Sequence, residues 1–182
     1  MPPAHPPGRG PIHLLALCLF LIALPIALLT ANIRVAFNAP SLYDYSVRKY
    51  DAPALAGVPK EELLRANREL IRYFNDDRTV FSLMVRDGQG NIVPLFSPQE
   101  TAHLADVKAL LRRLYAVQEG ALAYVLMFVV GVVVWAREIS VRQLAWAIMA
   151  STALTILIAG LIAVTALVGF DSAWAALHQA LF

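Results

Sequence analysis

Ser97-Pro98-Gln99-Glu100-Thr101-Ala102-His103-Leu104-Ala105-Asp106-Val107-Lys108 holds a combination of residues that can move protons. Glu100, His103 and Asp106 recur every three residues, which on a helix places an imidazole between two carboxylates along one strip. A carboxylate that accepts from one ring nitrogen fixes the tautomer and makes the other nitrogen the better base, so the strip suits general acid–base work near neutral pH. The same residues serve equally as a solvated helix face with an incidental histidine. The helix itself is announced by Ser97, then proline, then Glu100 three residues on, the signature of a capping box in which hydroxyl and carboxylate each satisfy a backbone N–H.

The elements that must hold this strip are mostly apolar. Of the 182 residues, 59% are hydrophobic and 15% charged, and the mean hydropathy is +0.61, which points to a membrane protein rather than a water-soluble domain. A net charge of +2 without a block of basic residues gives no sign of nucleic acid. One cysteine, Cys18, sits inside an apolar run, so neither an internal disulfide nor a cysteine zinc site can be built.

In chain order, residues 1–12, with five prolines and two glycines, read as a flexible tail. Residues 13–31 are long enough to cross a hydrocarbon layer of about 30 Å as an uncleaved helix, with Pro25 as a kink. Residues 32–119 hold 12 of the 15 basic and 11 of the 13 acidic side chains and form a water-exposed domain. Within it, the stretch through Tyr43, Tyr45 and Tyr50, interrupted by Pro40 and Pro53, reads as loop close to the lipid headgroups. Pro59 opens an amphipathic helix with Leu63, Leu64, Leu70, Ile71 and Phe74 buried and Arg65, Arg68 and Arg72 outside, and Asn67 falls among the apolar positions. Val80–Val85 and Ile92–Phe96 form a hairpin around Asp87-Gly88-Gln89-Gly90-Asn91. The capped helix then runs to about Gln118, with Arg112-Arg113 near its end.

Residues 120–136 form a second span, 137–143 a link bearing Arg137 and Arg142, 144–168 a third span, and 169–182 an outer interfacial segment that includes Trp174, Leu177, His178 and Leu181. Long segments cross regardless of charge, so the short arginine-bearing link sets the orientation: link cytoplasmic, 32–119 extracytoplasmic. The expected fold is a mainly α membrane protein with three transmembrane helices and a small extracytoplasmic α+β domain between the first and second. An unbroken helix from Ser97 puts His103 roughly 25 Å above Gly120 at about 1.5 Å per residue, so either the helix breaks near Gln118–Gly120 or the pairing of His103 with a membrane-level group is wrong.

Phe96-Ser97, the Glu100-x-x-His103-Leu104-x-Asp106-Val107-Lys108 word, Asn67 with Tyr73 upstream, and Phe170-Asp171 with His178 and Phe182 downstream resemble, in order and spacing, a bacterial integral membrane family. It is the family that includes the lipoprotein intramolecular transacylase, and the likeness runs from about Asn67 to Phe182. Members of that family look to have a further span after the last histidine. The resemblance implies transfer of an acyl chain from the sn-2 oxygen of a lipoprotein's diacylglyceryl-cysteine to the cysteine α-amine. It implies His103 as base, His178 as second catalytic group, Glu100, Asp106 and Asn67 in support, and neither metal nor other cofactor. The expected partners are a lipoprotein N-terminus and membrane lipids. A non-catalytic membrane-anchored binding or assembly protein is the alternative. A metal-dependent hydrolase has no ligand word such as HExxH behind it.

Overall fold

A computed structural model of the protein describes residues 11–134 and 141–181. It contains α1 (Pro11–Asn38), α2 (Pro40–Lys49), α3 (Ala52–Ala56), α4 (Lys60–Asn75), β1 (Met84–Arg86), β2 (Ile92–Pro94), α5 (Pro98–Val134) and α6 (Val141–Leu181). Three of these helices, α1, α5 and α6 up to Gly169, are long and apolar enough to cross a membrane. The chain divides into two compact units, Met1–Ala31 with Ala116–Phe182, and Asn32–Tyr115.

In the apolar unit Phe20 and Ala23 of α1 pack with Val125, Phe128 and Val132 of α5 and with Leu144 and Ala147 of α6. The rings of Phe20 and Phe128 lie 4.7 Å apart, and the Tyr124 hydroxyl donates to the Ala16 carbonyl at 2.7 Å. Small residues let such helices approach where lipid offers no hydrophobic drive between them. On the third span Ser151 and Thr155 are buried, Thr155 donating to the Ser151 carbonyl, whereas Thr152 and Thr165 are exposed. Pro25 is buried within a continuous α1. α6 departs from helical backbone at Gly169 (φ −150°, ψ 46°), so a further helical segment follows the third span there. The side chains of Trp174, Leu177 and Leu181 lie outside the described set, as do residues 1–10 and 135–140 of the expected tail and link.

The polar unit is built around an aromatic cluster. Tyr73 (fully buried), Phe74, Phe81, Leu111 and Tyr115 form its centre, with Phe37, Leu70, Phe96, Leu104 and Val107 against them. Ring centroids are 5.0 Å apart for Tyr73–Phe81 and 5.5 Å for Phe81–Phe96, tilted as aromatic quadrupoles prefer. A second core, Val47, Val58, Leu63 and Val85, joins α2 and α4 to the hairpin. α4 begins after Pro59 as expected, with Leu63 and Phe74 buried and Arg65, Arg68 and Arg72 exposed; Leu64, Leu70 and Ile71 are only half-buried, and Ala66 and Tyr73 complete the buried side.

The hairpin is shorter than its β-prone runs suggest. Three residues pair on each side in antiparallel register, Met84 with Pro94, Val85 with Val93 and Arg86 with Ile92. Asp87 organises the turn: its carboxylate accepts from the Gln89 and Asn91 amides at 2.9 and 2.8 Å, and Gly90 takes φ +91°, open to glycine at little cost. The Asn91 side-chain amide also donates to this carboxylate at 3.1 Å, and this bond, opposed by partial burial and helped by the backbone bonds, holds the Asp87 pKa below its ordinary 3.8.

Two expectations need correction. The stretch 40–56 is not loop. Pro40 occupies the first helical turn, where a missing N–H costs nothing, and Val47 draws α2 into the core, so α2 and α3 form there. Nor does the helix from Pro98 break near Gln118–Gly120. α5 is continuous from Pro98 to Val134, because a lone glycine in an otherwise strong helical run costs only about 1 kcal/mol relative to alanine and nothing there competes for the backbone.

Candidate active site

The start of α5 is capped as its sequence foretells. The Glu100 carboxylate accepts from the Ser97 amide at 2.8 Å, and the Glu100 amide donates to the Ser97 hydroxyl at 3.3 Å. Those bonds from the Ser97 backbone and side chain lower the Glu100 pKa below its ordinary 4.5. Glu100, His103 and Asp106 are all exposed and share the strip their spacing implies. The carboxylate with an observed bond is thus spent on the helix start, and Asp106 is the acid one turn beyond His103 toward the membrane span.

The opposite side of this half-helix carries an ionic group. Leu104, Lys108, Leu111 and Tyr115 follow one another at spacings of four, three and four, and Lys108 is buried in that stripe at 5% exposure. Its ammonium donates to the Asp76 carboxylate at 3.1 Å and to the Arg78 carbonyl at 2.5 Å, and it stands 4.0 Å from the centroid of the Tyr73 ring. Asp76 also accepts from the Arg78 guanidinium at 2.5 Å. Partial burial disfavours the Asp76 carboxylate, but the bonds from Lys108 and Arg78 outweigh it and lower its pKa from 3.8 to about 2. Arg112 adds a bond to the Asp76 carbonyl and an ion pair with Asp77 at 2.8 Å. Arg112, mid-helix in an α5 that continues to Val134, ties down the loop after α4 and does not serve a helix end.

Asn67 is half-buried on α4, and its amide donates to Asp44 of α2 at 3.4 Å, linking the two helices. His178 is exposed on the part of α6 beyond Gly169. His103 lies in one compact unit and His178 in the other. Among the described residues no group of three His, Cys, Asp or Glu side chains could hold a metal ion.

A family model for the lipoprotein intramolecular transacylase Lit matches residues 18–182, nearly the whole chain. The chain belongs to the lipoprotein intramolecular transacylase family. Among solved structures, the membrane integral lipoprotein intramolecular transacylase Lit from Bacillus cereus, determined in meso, superposes with a TM-score of 0.73 at 16% identity. The alignment covers 92% of this chain and 72% of that one. At such low identity the likeness speaks for the fold, and it bears out the mainly helical architecture with three membrane-capable helices. No curated protein sequence matches the chain.

The sequence does not announce Lys108 as a buried group, because a lysine in an exposed-looking helix is ordinarily solvated. The usable signal was its place in the leucine stripe, three residues before Leu111 and four after Leu104.

Proposed function

We propose that this protein is a membrane acyltransferase that works within one lipoprotein molecule, moving the sn-2 acyl chain of the N-terminal diacylglyceryl-cysteine to the cysteine α-amine and leaving the lyso form. The family match over residues 18–182 carries this reading. The amine nitrogen attacks the ester carbonyl, a C–N bond forms, the C–O bond to glycerol breaks, and one proton passes from the amine to the departing glycerol oxygen. The amine's ordinary pKa of about 7.7–8.0 brings that proton within reach of an imidazole. Nucleophile and ester belong to one molecule, so positioning supplies much of the rate.

His103 takes the amine proton. Asp106 holds its tautomer, and Glu100 supports it by fixing the first turn of α5. With α5 unbroken, His103 stands well above membrane level, so its pairing with His178, which returns a proton to the glycerol oxygen or polarises the ester, requires the substrate's cysteine end to be drawn up from the bilayer. Asn67 supports the site by holding α2 against α4. Residues 32–119 and 169–182 face outward and 137–143 inward, so both histidines are on the lipoprotein's side of the membrane. The partners are the lipoprotein N-terminus and the surrounding lipids.

Mass spectrometry of lipoprotein N-termini from cells with and without the protein tests the reaction. An N-acylated lyso form seen only with the protein is the expected result. Unchanged N-termini would leave the non-catalytic binding or assembly role instead. Single-cysteine labelling from outside, with Cys18 replaced, tests the orientation: position 88 should label and position 140 should not.

A further inference from the structure

α2 has two apolar faces, and the fold uses only one. Tyr43 and Val47, four residues apart, turn inward: Val47 enters the core with Val58, Leu63 and Val85, and the Tyr43 hydroxyl donates to the Phe37 carbonyl at 3.1 Å. On the opposite face, at spacings of three and four, stand Leu42, Tyr45 and Lys49. Leu42 is 54% exposed, Tyr45 55%, and Tyr50 just past the helix 61%. A water-facing helix keeps its outer face polar. Here that face carries a leucine and a tyrosine, with the cations Arg48 and Lys49 at its end.

The cation and the rings are arranged together. The Lys49 ammonium lies 5.2 Å from the Tyr45 ring centroid and 5.5 Å from that of Tyr50. An apolar ring beside a cation on a flexible stem matches the layer where hydrocarbon gives way to phosphate. Between the last turn of α1 and this face lies a cleft of about 280 Å³, lined by Ala36, Phe37, Leu42, Tyr43 and Ser46.

Chain connectivity puts the face at the right depth. α1 has 28 residues, about 42 Å at 1.5 Å per residue, close to the roughly 40–45 Å of a bilayer with its headgroups. Only Ala39, in extended conformation, separates the end of α1 from α2, and a helix that follows so closely on a span of bilayer length starts near a headgroup layer.

We propose that α2 is an interfacial helix whose Leu42–Tyr45–Lys49 face is covered by an anionic phospholipid of the outer leaflet. The phosphate meets Lys49 and Arg48, and the upper part of one acyl chain enters the cleft beside Phe37 and Leu42. A bulk phospholipid is the occupant, rather than the substrate, because a diacylglyceryl-cysteine has no phosphate for the two cations to meet. The inference takes its side of the membrane from the orientation proposed above but does not depend on the acyl-transfer reading.

The test places a nitroxide label singly at positions 42, 45 and 89 of the full chain, with Cys18→Ser, in lipid nanodiscs. Collision with oxygen and with a water-soluble nickel chelate is then compared in phosphatidylcholine and in phosphatidylcholine mixed with phosphatidylglycerol. Labels at 42 and 45 should meet the chelate several-fold less often than the label at 89, and phosphatidylglycerol should widen the gap. Lys49→Glu should abolish that lipid dependence while the hairpin label at 89 stays unchanged. Equal chelate access at 42, 45 and 89 in both lipids would overturn the proposal. So would protection that develops only after other membrane proteins are added, which would mark the face as a protein-docking surface.

Discussion

Both sides of the first half of α5 carry ionisable residues, and the fold treats them in opposite ways. On the outer side Glu100, His103 and Asp106 are exposed, and the Glu100 carboxylate caps the start of the helix. On the inner side Lys108 is buried, with its ammonium divided between Asp76, the Arg78 carbonyl and the Tyr73 ring. A charge that is buried must be satisfied, so the inner set is what the fold requires; a charge that is exposed costs the fold little and is available for chemistry. Histidines and lysines of one helix can therefore be sorted by what happens when each is removed.

The largest contrast is expected at His103. His103→Ala should lower lyso-form production by about 10²-fold or more, the usual worth of a general base, without changing the amount or thermal stability of protein in the membrane. His178→Ala should behave likewise. The double variant should be no worse than either single, as for groups acting as a unit, and mass spectrometry of lipoprotein N-termini reads all three. Full activity in His103→Ala would dissolve the contrast.

Lys108→Met should do the reverse. It strands the Asp76 carboxylate and the Arg78 carbonyl beneath α5 and should cost about 1–3 kcal/mol, seen as a lower melting temperature of the detergent-solubilised chain. Activity per folded molecule should be retained at low temperature. A rate loss without a stability loss would move Lys108 into the chemistry.

A smaller effect concerns acid. The Asp76 pKa is lowered from 3.8 to about 2, so its contribution to stability is fully present above the unfolded value and is lost as pH falls from about 4 toward 2. Melting temperature should drop over that window, and Asp76→Asn should flatten this part of the profile at the cost of lower stability at neutral pH. An unchanged slope would place the acid sensitivity elsewhere.

The smallest effect is expected at the cap. Ser97→Ala should cost about 1 kcal/mol, and Glu100→Gln should leave both stability and the pH profile of activity nearly unchanged. Asp106→Asn should shift the acidic limb of that profile to lower pH. If Glu100→Gln shifted it instead, Glu100 and not Asp106 would be the partner of His103.

Periodicity and caps carried most of this architecture in the sequence. The spans, α4 and the Ser97–Glu100 box follow from local rules, because each is decided within a turn or two of its own residues. What escaped was decided at a distance. Val47 converts 40–49 into helix only by meeting Val58, Leu63 and Val85. Lys108 is buried only because Asp76 and Arg78, some 30 residues earlier, come back to it. The expected break at Gly120 failed for the converse reason: it answered a functional need, and local helix propensity had no cause to satisfy it. The Glu100–His103–Asp106 strip was legible as a pattern, and the family match is what motivates proposing it as catalytic.

The aromatic core also constrains how the chain can be made. Its walls come from both ends of the polar unit: Phe37 from the end of α1, and Leu104, Val107, Leu111 and Tyr115 from α5, with Asn38 donating to the Tyr115 hydroxyl at 3.1 Å. A nascent chain that ends before α5 therefore still lacks one side of the core around Tyr73. The polar unit stays unfinished until synthesis has passed Tyr115. Completion of the polar unit and entry of the second helix into the bilayer are in this way close to a single event in biogenesis, and a chain stalled between them exposes Tyr73, Phe74 and Phe81 to proteases.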